Sequence, residues 1–196
     1  MAIKEKRQTN FCSIMGKVDL TNYKSELGKR DQIKRLIWQI VWLIFAKPFP
    51  KRLGNSWKIF LLKLFGAKIH KTAVVYSSAK VYAPWNLEME EYACLASQVD
   101  CYNVDKVFIG KHTTISQKSY LCTASHDISK GNFSLITAPI IIEESVWIAA
   151  ASYIAPGVTV MKGAVVGATA SVYKNVEAWN VVGGNPAKVL KIRKIK

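Results

Sequence analysis

Aliphatic side chains recur at every sixth residue between positions 69 and 172, with two interruptions, and no other part of the chain is as regular. The fifteen positions that carry this repeat, here called anchors, are Ile69, Val75, Val81, Leu87, Ala93, Val99, Ile109, Ile115, Leu121, Ile142, Ile148, Ile154, Val160, Val166 and Val172. The residue four places after an anchor is usually small. Because a helix repeats at about 3.6 residues and an alternating strand at about 2, a six-residue period indicates a short strand and a turn, repeated.

Hexads of this kind predict an all-β core, a left-handed parallel β-helix in which three strands complete one coil. Fifteen anchors predict about five coils. The spacing breaks first between Val99 and Ile109, which predicts a bulge at residues 103–106. It breaks again between Leu121 and Ile142, where an excursion loop is expected at residues 125–139. Loops of that length are seldom without a function.

Apolar residues at helical spacing precede the hexads and predict an α-helical N-terminal segment whose first helix is apolar almost all round. Its aliphatic positions fall on one helix face, with tryptophans elsewhere, and are Ile33, Leu36, Ile37, Ile40, Val41 and Ile44. The uncharged stretch, residues 36–46, is too short to cross a bilayer, which takes roughly 20 apolar residues. Pro48 and Pro50 are expected to end the helix, and a second apolar patch covers residues 57–65. We therefore divide the chain into a basic, Trp-rich helical segment (1–68), a β-helix (69–177) and a C-terminal turn with a basic tail (178–196).

The net charge of +15 belongs almost entirely to the N-terminal segment. Residues 1–80 hold 17 Lys and Arg against 4 Asp and Glu, whereas residues 81–196 hold 11 against 9. Cations that flank the apolar helix are Lys29, Arg30, Lys34, Arg35, Lys47, Lys51, Arg52, Lys58 and Lys63. Such flanks are typical of a helix that lies on a membrane surface, and packing on the protein or a neighbouring subunit is the alternative. Nucleic-acid binding is not expected, because no recognisable binding module accompanies the charge.

The cysteines and the N-terminus favour a reducing compartment. Cys12, Cys94, Cys101 and Cys122 form no CxxC pair, so we expect free thiols and no metal site. No apolar stretch lies near Met1, so no signal peptide is expected. The prediction is a cytoplasmic protein, peripheral on the inner face of the plasma membrane if the helical segment binds lipid.

Four stretches resemble the hexapeptide-repeat acetyltransferases. They read YLCTASHDI at 120–128, TAPIII at 137–142, VWIAAASYIAPGVTV at 146–160 and VVGGNPAKV at 181–189. The resemblance covers about residues 30–194 and is strongest to the colanic-acid-type acetyltransferases of exopolysaccharide biosynthesis. It implies a homotrimer in which acetyl-CoA and a saccharide acceptor, free or lipid-linked, meet in clefts between subunits.

The same resemblance implies roles for individual residues. His126 matches the catalytic histidine, and Trp147 matches a tryptophan at the active-site wall. Ala150 and Ala168 match positions whose backbone contacts the pantetheine arm, and the nucleotide end of acetyl-CoA is matched by Tyr173, Lys174, Lys188 and Lys191. Ala149 and Met161 depart from the pattern, because glycine is usual at both positions.

The chemistry can also be argued from the residues. A sugar hydroxyl needs a base with a pKa near 7 to attack a thioester, and histidine meets that need. His70 and His112 sit within regular hexads, so His126 on the excursion loop is the expected base. Direct transfer then requires no acyl-enzyme; a Cys122–His126 nucleophile is the competing scheme. The backbone N–H of Ala150 is the oxyanion donor that the resemblance suggests.

The sequence leaves open the tautomer partner of His126, the acceptor contacts and the role of the basic tail. Either Asp127 or a backbone carbonyl could fix the tautomer of His126. Asp100, Tyr102, Asn103 and Asp127 are candidate acceptor contacts, although a polar turn without a ligand explains the first three equally well. The basic tail (Lys188, Lys191, Arg193, Lys194 and Lys196, with Lys174 nearby) either meets the CoA phosphates or is simply solvated.

The leading hypothesis is an acetyl-CoA-dependent O-acetyltransferase that modifies a sugar hydroxyl of an exopolysaccharide or capsule precursor. A sugar-nucleotide N-acetyltransferase shares the fold and the base and is the nearest alternative. A non-catalytic trimeric scaffold is the alternative from another class of function.

Overall fold

The computed structural model describes residues 17–21, 28–49 and 54–195. The expectations for Cys12, Pro50, Lys51, Arg52 and Lys196 therefore lie outside the described residues. Two helices come first: α1 spans Lys29–Phe45 and α2 spans Asn55–Leu64. They confirm the predicted helical segment before the β core.

The described part of the chain contains nineteen short strands after the helices. They are Lys68–Ile69 (β1), Val74–Val75 (β2), Lys80–Val81 (β3), Leu87–Met89 (β4), Cys94–Leu95 (β5), Asp100–Tyr102 (β6), Val107–Ile109 (β7), Thr114–Ile115 (β8), Tyr120–Cys122 (β9), Ala124–His126 (β10), Leu135–Thr137 (β11), Ile140–Ile142 (β12), Trp147–Ile148 (β13), Tyr153–Ile154 (β14), Thr159–Val160 (β15), Val165–Val166 (β16), Ser171–Val172 (β17), Asn180–Gly183 (β18) and Lys188–Ile192 (β19).

Sixteen of these strands form three parallel sheets, one for each side of a prism, and β10 and β11 form a separate two-stranded sheet. Sheet 1 is ordered β1-β4-β7-β12-β15, sheet 2 runs from β2 through β5, β8, β13 and β16 to β18, and sheet 3 is ordered β3-β6-β9-β14-β17. β19 adds to sheet 2 as an antiparallel edge strand. The fold is the predicted left-handed parallel β-helix, with five complete coils and a partial sixth that begins with a Val160–Val176 bridge.

The inward column is dry and continuous. Ile109, Ile115, Leu121, Ile142 and Ile148 are fully buried and stack with their equivalents in neighbouring coils. Burial of each such side chain stabilises the fold by about 1.5–3 kcal/mol relative to exposure, before the cost of chain ordering. Each coil therefore depends on its neighbours for this stabilisation.

The register predicted for the second coil was wrong. Met89, Leu95 and Cys101 stand in the inward column, where they pair with the third-coil residues Ile109, Ile115 and Leu121. Leu87, Ala93 and Val99 had been expected there, and all three are also buried. Ala93 and Val99 instead fill the small-residue corner positions that follow an anchor by four residues. Apolar residues occupy both the inward column and the corner positions, so hydrophobicity alone does not distinguish the two.

The single bulge expected at residues 103–106 is replaced by two shorter insertions, one above the other. The first holds a 3-10 turn, Pro84–Asn86, after β3, and the second follows β6. The Asn103 side chain joins them, since its Oδ1 accepts from Ala83 N at 2.9 Å and its Nδ2 donates to Ala83 O at 2.6 Å. Stacked insertions keep the following coils in register.

The two helices cover the first coil. In α1 the tryptophans Trp38 and Trp42 face the prism, and Trp38 Nε1 donates to Val81 O at 2.7 Å. In α2, Asn55 donates to Ala73 O and accepts from Val75 N, which ties the helix to sheet 2. The opposite face of α1 is exposed in the single chain and carries Ile33, Leu36, Ile37, Ile40, Leu43 and Ile44. Neither described helix is long and apolar enough to span a membrane.

Candidate active site

The excursion predicted after Leu121 is a β-hairpin that leaves the prism where sheet 3 turns towards sheet 1, here called the 3–1 corner. Its strands β10 and β11 pair antiparallel, with His126 opposite Leu135. Asp127 closes the turn, because its Oδ1 accepts from Ser129 N at 3.0 Å and from Ser129 Oγ at 2.6 Å. These bonds hold the pKa of the Asp127 carboxyl below its usual range.

His126 is exposed on this hairpin and its ring is held by the backbone. Nδ1 lies 2.6 Å from Phe133 O. A carbonyl can only accept, so Nδ1 carries the proton and the lone pair is on Nε2. Phe133 has a left-handed φ of 48°, an unusual conformation for this residue type, and its carbonyl accepts this bond. Of the two tautomer partners left open by the sequence, the structure has the backbone carbonyl.

Three of the four residues expected to contact the acceptor, Asp100, Tyr102 and Asn103, lie one coil below the hairpin. Asp100 is half-buried beside Lys80, with Oδ2 to Nζ at 3.8 Å. Tyr102 is half-buried. Burial is the main cause that raises the pKa of its phenol, and the neighbouring Tyr82 is the second cause. Asn103 is fully buried and engaged with Ala83, which favours a structural role over the predicted acceptor contact.

A column of tyrosines on the outside of sheet 3 was not anticipated. Its members, in order along the prism, are Tyr82, Tyr102, Tyr120, Tyr153 and Tyr173, with successive ring centroids 4.6–6.4 Å apart. They alternate irregularly between the positions before and after the anchor, so no single period reveals them. The only sequence signal for this column is that an aromatic residue stands directly before or after each inward residue of sheet 3.

Cys122 lies against this column and is a poor candidate for a nucleophile. Its thiol is buried and donates to Ala124 O at 3.1 Å. Burial is the main cause that raises the pKa of the Tyr153 phenol to about 12, and the neighbouring Cys122 is the second cause. A buried thiol that already donates to a backbone carbonyl is not placed to attack a substrate.

The residues assigned to the acetyl-CoA site lie on sheet 2 and at the corner between sheets 2 and 3, here called the 2–3 corner. Trp147 is exposed on sheet 2, with Nε1 donating to Ser116 Oγ at 2.9 Å. Ala150 and Ala168 stack at the 2–3 corner, where Thr169 N donates to Ala150 O. Within the described residues, no hydrogen bond from the Ala150 N–H is found. Ala149 is buried, so its Cβ adds little to the surface.

Three of the four residues assigned to the nucleotide end share one groove at the C-terminal end of the prism. Tyr173, Lys174 and Lys188 line this groove of about 470 Å³. Lys191 lies on exposed β19, opposite Val181. Arg193 of the tail is engaged elsewhere, since its guanidinium donates to Ser145 O and Gly163 O.

One chain does not bring these two groups of residues together. His126 projects from the 3–1 corner, whereas Ala150 and Ala168 occupy the 2–3 corner on the far side of sheet 3. The two corners are one hexad apart, which is at most roughly 20 Å for a fully extended chain at 3.3 Å per residue, and sheet 3 stands between them.

A comparison with curated proteins places this architecture in a family. The chain is 42% identical over 178 residues to the "Putative colanic acid biosynthesis acetyltransferase WcaF" of Escherichia coli K12, which covers 89% of this chain and 97% of that protein. The chain belongs to the hexapeptide-repeat acetyltransferases. It is therefore an enzyme, an acyltransferase. No family model matches the chain.

Solved structures support the fold of this acetyltransferase. The hexapeptide-repeat acetyltransferase VCA0836 of Vibrio cholerae O1 biovar eltor, complexed with acetyl-CoA, superposes with a TM-score of 0.75 at 24% identity, over 88% of this chain and 94% of that one. A galactoside acetyltransferase in complex with coenzyme A gives 0.73 at 23% identity, over 86% and 84%.

Metal chemistry has no evident site among the described residues of the acetyltransferase. No group of three or more His, Cys, Asp or Glu side chains there is arranged to hold an ion. Within the described residues, Cys94, Cys101 and Cys122 form no disulfide.

Proposed function

We propose that the protein transfers an acetyl group from acetyl-CoA to a sugar hydroxyl of an exopolysaccharide or capsule precursor. The observation that carries this proposal is His126, held through Nδ1 by the Phe133 carbonyl on a projecting hairpin. The similarity to WcaF over nearly all of both chains supports the polysaccharide pathway. The similarity of fold to structures that contain acetyl-CoA or coenzyme A supports the donor.

In the proposed mechanism His126 Nε2 removes the proton of the acceptor hydroxyl as its oxygen attacks the thioester carbonyl. The tetrahedral oxyanion is stabilised by a preorganised backbone donor, for which the Ala150 N–H of a neighbouring copy is the candidate. Collapse breaks the C–S bond, and the CoA thiolate takes a proton from the His126 imidazolium. No acyl-enzyme forms, so Cys122 has no chemical role.

We propose a homotrimer because the hairpin and the 2–3 corner of one chain lie apart. In this arrangement Trp147, Ala150 and Ala168 of one copy hold the pantetheine arm beside His126 of the next. Tyr173, Lys174, Lys188 and Lys191 then meet the nucleotide end, where lysines suit phosphate groups. Asp100, Tyr102 and Asp127 stay candidate acceptor contacts near the base of the hairpin.

We also propose that the exposed face of α1 rests on the cytoplasmic surface of the membrane. Its six aliphatic side chains are exposed, and Lys29, Arg30, Lys34 and Lys47 surround them. Apolar insertion together with attraction to anionic lipid is the usual basis of interfacial binding. A lipid-linked acceptor would then be presented to the trimer at that surface.

The test is acetyl transfer measured as release of free CoA thiol with a panel of acceptors. The panel holds p-nitrophenyl pyranosides, lipid-linked saccharides and amino-sugar nucleotides. Preference for hydroxyl acceptors supports the proposal, and preference for amino-sugar nucleotides would make the enzyme an N-acetyltransferase. If no acceptor in the panel stimulates thiol release, the proposed class of acceptor is wrong.

A further inference from the structure

The segment before α1 touches the hairpin that carries His126. Residues 17–21 lie along the hairpin tip, and Asp19 N donates to Gly131 O at 2.9 Å. A Cβ on Gly131 would lie 2.6 Å from Lys17 O, a distance that real Cβ atoms do not tolerate. Only glycine at position 131 permits this close approach. We call residues 17–21 the N-terminal strap.

The strap and the hairpin together enclose a hollow beside the base. The hollow measures about 490 Å³ and is lined by Leu20, His126, Ile128 and Phe133. Leu20 is 57% exposed and Ile128 is 87% exposed, so both hold apolar surface in contact with solvent. Of the described residues that line the hollow, His126 alone has a polar side chain.

We propose that this hollow is the acceptor subsite and that Leu20 of the strap contacts the apolar C–H face of the acceptor sugar. The proposal rests on the function proposed above. A general base must come within about 2.6–3.2 Å of the hydroxyl it deprotonates, so the acceptor must lie against His126. Among the described residues, the lining of the hollow is apolar apart from His126, which suits a sugar ring better than the phosphates of CoA. Apolar walls with one convergent polar group suit a ligand with an apolar face.

A pair of substitutions within the strap tests this role. Leu20→Ala removes part of the wall, whereas Val18→Ala makes a similar change in a strap residue that is 53% exposed and does not line the hollow. With the p-nitrophenyl pyranoside that is acetylated fastest, Leu20→Ala should raise the KM for the acceptor about tenfold. The KM for acetyl-CoA and kcat should stay unchanged, and Val18→Ala should match the wild type. Equal acceptor KM values for the two variants would overturn the proposal.

A glycine pair tests whether the strap must stay seated. Gly131→Ala forces the strap off the hairpin, and Gly28→Ala is the control, because a Cβ there meets nothing within 4 Å. Gly131→Ala should raise the acceptor KM as Leu20→Ala does and should speed hydrogen exchange at the Asp19 amide. An unchanged acceptor KM despite fast exchange at Asp19 would overturn the inference.

The failure of this inference can be told apart from the failure of the proposed function. If His126→Ala retains full transfer, the assignment of His126 as the base fails, regardless of the results for the strap variants. If His126→Ala abolishes transfer while Leu20→Ala behaves like Val18→Ala, only the strap assignment fails. Leu20→Ala trimers that dissociate in light scattering would place a second copy, and not a sugar, in the hollow.

Discussion

Phe133 shows how a single backbone conformation can define the tautomer of a histidine. Its left-handed φ of 48° accompanies a carbonyl aimed at His126 Nδ1, which defines the tautomer. A non-glycine residue held in this region costs of order 1–3 kcal/mol, a strain that is often found at functional sites. The hairpin therefore has a preorganised imidazole before any substrate arrives.

The first prediction concerns that imidazole. His126→Ala should lower kcat for acetyl transfer about 10²–10⁴-fold with little change in the KM for acetyl-CoA, because a general base contributes in that range. His112→Ala is the matched control, since His112 is exposed and stacks on Tyr92 with ring centroids 5.0 Å apart. Unchanged thiol release in His126→Ala would contradict the assignment.

The second prediction concerns Asp127 and pH. Its folded pKa is lowered by Ser129, so the carboxylate's contribution to hairpin stability is present above the unfolded pKa and is lost as the pH falls through the folded pKa. Ser129→Ala should raise the Asp127 pKa towards its ordinary value, as measured by carboxyl NMR titration. Ser125→Ala, elsewhere in the hairpin, should leave it unchanged. A Ser129→Ala titration that coincides with that of the wild type would contradict this cause.

At the scale of elements, the stacked insertions after β3 and β6 depend on one asparagine. Asn103→Ala would leave the Ala83 N–H and C=O without their partner in a buried place. We expect the free energy of unfolding to fall by about 2–4 kcal/mol, since each unsatisfied buried group costs about 1–3 kcal/mol. Asn132→Ala on the hairpin should change it by less than about 0.5 kcal/mol. Equal urea midpoints for the two variants would show that Asn103 is dispensable.

The fourth prediction concerns the exposed face of α1. Ile40, which is 48% exposed, lies on the helix at the first coil, whereas Val189, 61% exposed, lies on β19 at the other end of the prism. Ile40→Asp should weaken flotation with anionic phosphatidylserine vesicles at least tenfold, and Val189→Asp should not. Wild-type binding should weaken as salt rises. Trimers of Ile40→Asp that dissociate would assign this face to a subunit interface.

At the scale of the whole molecule, the separation of the two corners is the reason for proposing a site shared between chains. His126 and the 2–3 corner of the same chain lie on opposite sides of sheet 3. A cyclic trimer repeats one heterologous contact three times and so forms three complete sites. Activity should then depend on assembly.

The fifth prediction tests this sharing by complementation. His126→Ala removes the base, and Ala168→Trp fills the exposed 2–3 corner of the other variant. Each variant alone should be inactive, but trimers refolded from an equal mixture should recover about a quarter of wild-type activity, since one junction in four combines two intact halves. No recovery in mixed trimers of proven composition would mean that each chain builds its own site.

Much of the fold followed from the sequence because a β-helix buries residues at a fixed local period. The anchors from Ile109 to Val172 follow from this six-residue period. The helical character of α1 follows from a local period as well, that of an α-helix. The register of the second coil did not follow, because Leu87, Ala93 and Val99 are as apolar and as buried as the true column of Met89, Leu95 and Cys101. Strand pairing across coils, and not hydrophobicity, distinguishes the two.

The sequence by itself determined that an imidazole would interrupt the repeat, since a break in a regular pattern is visible without coordinates. Only the tertiary structure decided which group holds His126, because that bond depends on the backbone conformation of Phe133. It also decided that the strap reaches Gly131 and that the tryptophans of α1, not its isoleucines, face the prism. The contacts of the strap and of the α1 tryptophans join residues far apart in the chain, so no local repeat in the sequence predicts them.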